Sequence, residues 1–182
     1  MNSEKEINKM MDQISLEAPM LKYLLTKGIP FDDEQKAYKL KHCEKRSTDN
    51  PYACEHGLMD LHVDTWRENQ FQIVSVCFYY LQNGDMMRDP DIVFRFNKSN
   101  LEVDQRFLSL GLTPNQDMLM EIPLSYRLDS MGTFHETYDD PNSIKSKMNL
   151  KLIRELQGML EDTVRHCRTW NYYLDVKEDA EK

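Results

Sequence analysis

The sequence predicts an α+β fold: N-terminal helices, then an antiparallel β-meander, then a long C-terminal amphipathic helix. Three observations carry this. Residues 71–96 hold two apolar, β-favouring runs on either side of Asn83-Gly84, the dipeptide that most prefers a tight type I′ hairpin turn. From Leu58 to Thr65 the chain alternates, Leu58, Asp60, His62 and Asp64 against Met59, Leu61, Val63 and Thr65, the period of a strand with one wet face. Leu150, Ile153, Leu156, Leu160, Val164 and Cys167 recur at three- and four-residue steps with charges between, the stripe of an amphipathic helix. Helices, strands and a helix in that order define the class, and 182 residues suit a single domain, 1–182.

In chain order, Ser3-Glu4-Lys5-Glu6 has the form of a capping box, with Ile7, Met10, Met11 and Ile14 behind it at helical spacing. Ala18-Pro19 ends or kinks that helix. A second helix follows with Pro19 in its first turn, Met20, Leu21, Leu24 and Leu25 as its apolar face, and Gly28 as its stop. Asp32-Asp33-Glu34 could open another helical stretch, so residues 1–39 read as a helical segment. Residues 40–56 are polar and turn-rich, a long surface connection. The sheet is expected over 57–126, with strands from Leu58, over 71–81 and over 92–96. Pro90 is tolerable at the entry of the third strand or at an edge. Residues 101–108 could add a strand. So could 118–126, where Pro123 demands an edge or a bulge, while 127–146 read mostly as loop. The last helix should cover 148–171, where Trp170, Tyr172 and Tyr173 either pin its end to the sheet, the favoured role, or anchor an interface, and 174–182 should fray.

The formal charge is −8, and residues 51–146 hold seven basic against fifteen acidic side chains, the whole of the excess. A field of that sign repels nucleic acid and attracts basic surfaces. No apolar run approaches the ~20 residues that span a membrane. The start, MNSEKEINKM, has no apolar signal core, so a cytoplasmic protein is expected. Cys43, Cys54, Cys77 and Cys167 are irregularly spaced and suit a reducing compartment. His42, Cys43, Cys54 and His56 are zinc-ligand types but lack a Cys-x-x-Cys knuckle. Asp60, His62 and Asp64 share a strand face and could seat a divalent metal for phosphodiester cleavage. Yet no acid-x-lysine element follows Asp91, and the acidic surroundings oppose DNA. There is no phosphate-binding glycine loop and no nucleophile elbow. A non-enzyme with no metal and no cofactor is the expectation.

Residues 82–96, QNGDMMRDPDIVFRF, and 122–140, IPLSYRLDSMGTFHETYDD, followed by the amphipathic helix, resemble a small-domain family carried by phages, plasmids and conjugative elements. Its members share an NGD-x-M-R-D-P hairpin and a tyrosine-arginine-x-aspartate-x-x-glycine segment. The whole chain is also similar to type II-A anti-CRISPR proteins, which inhibit Cas9. The resemblance covers residues 57–173 and brings no catalytic motif. It implies a binding inhibitor of Cas9 in its guide-RNA complex that blocks DNA engagement or cleavage. Cas9 offers a basic heteroduplex channel and arginines that read the PAM, and an acidic protein can compete there with DNA phosphates. The contacts expected on that reading are Asp85, Asp89, Asp91, Asp139 and Asp140, with Met86 and Met87 as apolar grip and Asp129 and Glu136 behind them. The alternative is a generic interaction or regulatory module of a mobile element, and a metal-dependent nuclease on Asp60, His62 and Asp64 ranks last. An exposed strand edge or the last helix leaves a homodimer open.

Overall fold

The computed structural model describes residues 18–32, 34–69, 71–97, 121–137 and 149–175, which build one seven-stranded antiparallel sheet and two helices. The elements are α1 (Pro19–Thr26), β1 (Lys36–Lys41), β2 (Leu61–Glu68), β3 (Phe71–Gln82), β4 (Asp85–Asn97), β5 (Ile122–Leu128), a 3-10 turn (Asp129–Met131), β6 (Thr133–Glu136), α2 (Leu150–Thr169) and β7 (Tyr173–Leu174). The strand order is β6-β5-β4-β3-β2-β1-β7. It is a meander whose last short strand returns to flank the first.

The pleat explains the layering. Leu40, Leu61, Val63, Val74, Val76, Ile92, Phe94 and Phe96 point to one side of the sheet and are buried there. Met20, Leu21 and Leu24 of α1 and Leu160, Val164 and Cys167 of α2 close over them. Each fully buried side chain of this size contributes ~1.5–3 kcal/mol relative to exposure. The turn between β3 and β4 has Asn83 at φ 54° and Gly84 at φ 89°, the two left-handed residues of a type I′ hairpin.

Both helices stop as their sequences dictate. Gly28, at φ 85°, follows α1. Its amide donates to the Leu25 carbonyl (3.0 Å), and the Ile29 amide to that of Leu24 (3.3 Å). Asn171, at φ 52°, plays the same part after α2. Its amide donates to the Arg168 carbonyl (3.2 Å), and the Tyr172 amide to that of Cys167 (2.9 Å). The Asn149 side chain caps the other end of α2 by accepting the Leu152 amide at 3.1 Å. The reversal at Asn171 buries Tyr172 completely, with its hydroxyl donating to the Met59 carbonyl at 2.5 Å.

Several expectations need correction. The chain is not helical up to residue 39: α1 ends at Thr26 and β1 begins at Lys36, because Tyr38 and Leu40 find the core only from an extended chain. Residues 40–56 are more than a surface connection, since Ala53 and Cys54 are buried and bridged to Met59 and Arg46. The third strand starts at Asp85, so Pro90 lies inside it rather than at its entry, on a stretch that β5 does not reach and that is an edge on that side. It is accommodated at a bulge. Cys77 pairs with Asp91 and Tyr79 with Arg88, so Phe78 faces both Asp89 and Pro90, and the missing N–H falls where the ladder is already broken. Residues 127–146 include β6, and β1, β6 and β7 carry the sheet beyond 57–126. Residue 174 is part of β7 rather than a frayed tail, and the Asp175 amide donates to the Lys39 carbonyl at 2.7 Å. Pro123 does sit at a bulge, between the pairs Val93–Ser125 and Phe94–Pro123. The helix expected near the N-terminus, the strand at 101–108 and residues 176–182 lie outside the described residues. Among the described residues no helix is long and apolar enough to cross a membrane.

Glu121 ties the two helix-side elements together. It is fully buried just before β5, and its carboxylate accepts the Leu21 amide at 2.9 Å and the Met20 amide at 3.4 Å at the start of α1. Burial pushes its pKa up to about 8 despite those donors; Glu161 adds to the rise and Lys22 opposes it. The folded value therefore lies above the unfolded one of ~4.3. The stability linked to this group is fully present below the unfolded value and is lost as pH rises through the folded one. Urea melts at ~pH 5 and ~pH 9 should show the wild type weaker at the higher pH, and Glu121→Gln should flatten that difference.

Candidate functional site

The β3–β4 hairpin outruns its neighbours. β2 pairs with β3 only as far as Leu61–Phe78, and β5 joins β4 only from Asp91–Arg127. Beyond those points the ladder Tyr79–Arg88, Tyr80–Met87, Leu81–Met86 and Gln82–Asp85 continues alone among the described strands. The result is a two-stranded arm rooted in the bulge at Phe78, and a bulge sharpens the local twist that aims it.

The root is held by polar contacts. Asp129, in the 3-10 turn, accepts the Arg88 amide at 3.0 Å on one oxygen and the Arg127 Nε at 2.6 Å on the other. Those contacts, the Arg127 hydrogen bond above all, hold its carboxyl below the usual carboxylate range. Asp129 thus replaces the ladder partner that β5 would have offered had it run further. Ser130 Oγ donates to Asp89 at 3.4 Å, and Ser75 Oγ donates to Asp91 at 2.7 Å, with Arg88 Nε 3.9 Å from the same carboxylate. On the face opposite α1 and α2, Cys77, Asp91, Arg127 and Phe134 stand side by side across β3 to β6.

The expected contact residues therefore divide. Asp85 and Met86 are exposed at the arm tip, and Asp85 meets no cation among the described residues. Met87 is half-buried opposite Tyr80. Asp89, Asp91 and Asp129 are half-buried and engaged at the root, so their charge is partly spent inside the molecule. Glu136 is exposed on β6, opposite Ser125. Asp139 and Asp140 lie outside the described residues. Periodicity did not single out Met131 and Phe134, which are 75 % and 57 % exposed. With Met86, they make three of the four exposed large apolar side chains described, all on the arm or on the turn and strand bonded to its root. The usable signal was the Asp129-Ser-Met-Gly132 turn, where Gly132 at φ 62° reverses the chain.

At the root, burial pushes the Cys77 thiol and the Tyr79 hydroxyl up to about 12, so both stay protonated near neutrality. Neither is an activated nucleophile. Burial, then the neighbouring Asp91 charge, raises Asp64 above the usual carboxylate value. The Asp60, His62, Asp64 grouping does not form: Asp60 is buried and its carboxylate takes Arg46 Nη1 at 2.6 and 2.8 Å. His42, Cys43, Cys54 and His56 do converge, the two imidazole rings lying 6.1 Å apart. Among the described residues, however, no three His, Cys, Asp or Glu side chains are placed to hold a metal ion.

A family model, the domain of unknown function DUF6908, matches residues 35–165. The chain belongs to the DUF6908 family. The matched span opens one residue before β1 and closes within α2, so it takes in the whole arm and its root. No curated protein and no solved structure matches this DUF6908 chain.

Removing the root acceptor should loosen the arm. Asp129→Ala is expected to cost ~1–3 kcal/mol in a urea melt, the penalty of leaving the Arg88 amide without its partner. Asp129→Asn should cost less, and amide exchange at Arg88 should speed up more in the alanine variant.

Proposed function

We propose that this DUF6908 domain is a non-catalytic binding protein that grips a basic protein partner with the β3–β4 arm. The observation that carries the reading is the arm itself. It projects past the neighbouring strands on a polar-bonded root, with Asp85, which meets no cation among the described residues, and an exposed methionine at its tip. An ordered hairpin loses less entropy on docking than a loose segment, and methionine adapts to irregular surfaces.

The partner implied by the sequence resemblance is Cas9 carrying its guide RNA, met in the cytoplasm of a host bacterium. The acidic field draws the protein toward Cas9's basic channel, and the arm then competes with DNA for that surface. A generic regulatory module of a mobile element would use the same surface on another basic protein, and the internal engagement of Asp91 and Asp129 suits that breadth, because it shifts the grip from charge to apolar contact.

A Cas9 cleavage assay, with the protein added before guide, after guide or after DNA, tests the proposal. Inhibition is expected when the protein precedes DNA, weakening as salt rises and indifferent to the order of metal addition. Asp85→Asn with Met86→Ser should raise the half-inhibitory concentration ~10-fold, the loss of one buried methionine and one charge contact. Undiminished cleavage at large excess of protein removes Cas9 as the target. Full inhibition by the double variant removes the arm.

A further inference from the structure

Cys43 and Cys54 come together in the connection between β1 and β2. Arg46 and Cys54 form an antiparallel bridge, and the Glu55 amide donates to the Lys45 carbonyl at 2.9 Å. The Cys43 thiol reaches that same Lys45 carbonyl at 3.5 Å, which sets it beside residues 54 and 55. Cys54 is its side-chain neighbour there: burial first, then Cys54, raises the Cys43 thiol above the ordinary cysteine value. Cys43 is half-buried, whereas Cys54 is fully buried behind it. The surrounding loop is tightly held. Arg46 spans the Cys43 carbonyl and the Asp60 carboxylate, and Lys45 pairs with Glu55 at 2.5 Å.

We propose that Cys43 and Cys54 are a modification site, a thiol pair that closes reversibly into a disulfide under hydroperoxide. Access orders the steps. The Cys43 thiolate attacks the peroxide; the O–O bond breaks, one oxygen stays on sulfur as a sulfenic acid, and the other leaves as water. The Cys54 sulfur then attacks Cys43, the S–S bond forms, and the sulfenic oxygen departs as water with the Cys54 proton. The other two cysteines stand apart. Cys77 and Cys167 are buried in β3 and α2, whereas Cys43 is reachable from solvent. Closure would ring the loop around Arg46 and fasten its grip on Asp60; Tyr52, inside that ring, lies 6.0 Å from Tyr79 at the base of the arm. The thiol chemistry itself does not rest on the binding function proposed above.

The test uses the full chain, treated with hydrogen peroxide, blocked with an alkylating agent and mapped by peptide mass. The expected result is loss of half of the four free thiols, both in one cross-linked Cys43–Cys54 peptide pair, restored by dithiothreitol. The oxidised protein should also melt at higher urea. In Cys54→Ser the cross-link disappears and Cys43 becomes trappable by dimedone. Cys43→Ser, at the half-buried position, serves where the buried substitution does not fold, and it should leave Cys54 alkylatable only after denaturation. Three results overturn the proposal: oxidation spread over all four thiols, over-oxidation of Cys43 with Cys54 still free, or co-purified zinc that protects the pair.

Discussion

Alternate residues of β1 to β4 point to one side of the sheet, and that side is habitable only because α1 and α2 exclude water from it. Leu160, Val164 and Cys167 are buried to within 3 % of complete, whereas the ion pairs of α2 lie outside. Lys151–Glu155, at 3.9 Å and well exposed, contributes less than ~1 kcal/mol. One buried leucine outweighs it, at ~1.5–3 kcal/mol. The helix is therefore held by its apolar stripe. Its charges keep the outer face wet and do little to fix its position.

Covering one face leaves a problem at the joints, where backbone donors and acceptors leave the ladder. The fold solves it with acidic side chains. Glu121 receives the first amides of α1, Asp60 receives Arg46 from the β1–β2 connection, and Asp129 receives the Arg88 amide where β5 stops short. Each lies at a junction between elements, and each satisfies a group that would otherwise be stranded. An ion pair with a buried member, such as Arg46–Asp60, is weak support for stability as such. The geometric effect of these three contacts is plainer, since each one fixes where a connection lies against the sheet.

This division explains what could be read from residue order. The hairpin at Asn83-Gly84, the stripe of α2 and the stop at Gly28 rest on local rules, and the structure has all three. Lys36–Lys41 carries lysine at every third residue or closer, which hides the strand; only the ladder to β2 and β7 reveals it. β7 is two residues long and exists because Asn171 turns the chain back. Pro90 argued for a strand entry, but a bulge is a tertiary feature that no local pattern announces. In the candidate site the tip was legible, because Asp85 and Met86 follow from the turn. The root was not, because the role of Asp129 depends on where β5 ends.

The acidic surface divides between spent and free charge. Counting carboxylates along the chain makes the hairpin look like a cluster of free charge. In the fold, Asp91 shares its oxygens with Ser75 and Arg88, and Asp129 is consumed by Arg127 and a backbone amide. What remains outward at the tip is Asp85, beside Met86 on the arm, with Met131 and Phe134 on the elements bonded to its root. Long-range attraction can still come from the excess over residues 51–146, since a field sums charges whether or not they are locally paired. Short-range grip has to come from the apolar side chains, because a half-neutralised carboxylate gains little from a second cation. Steering and holding thus fall to different residues, and a rigid root lets the few that hold act together.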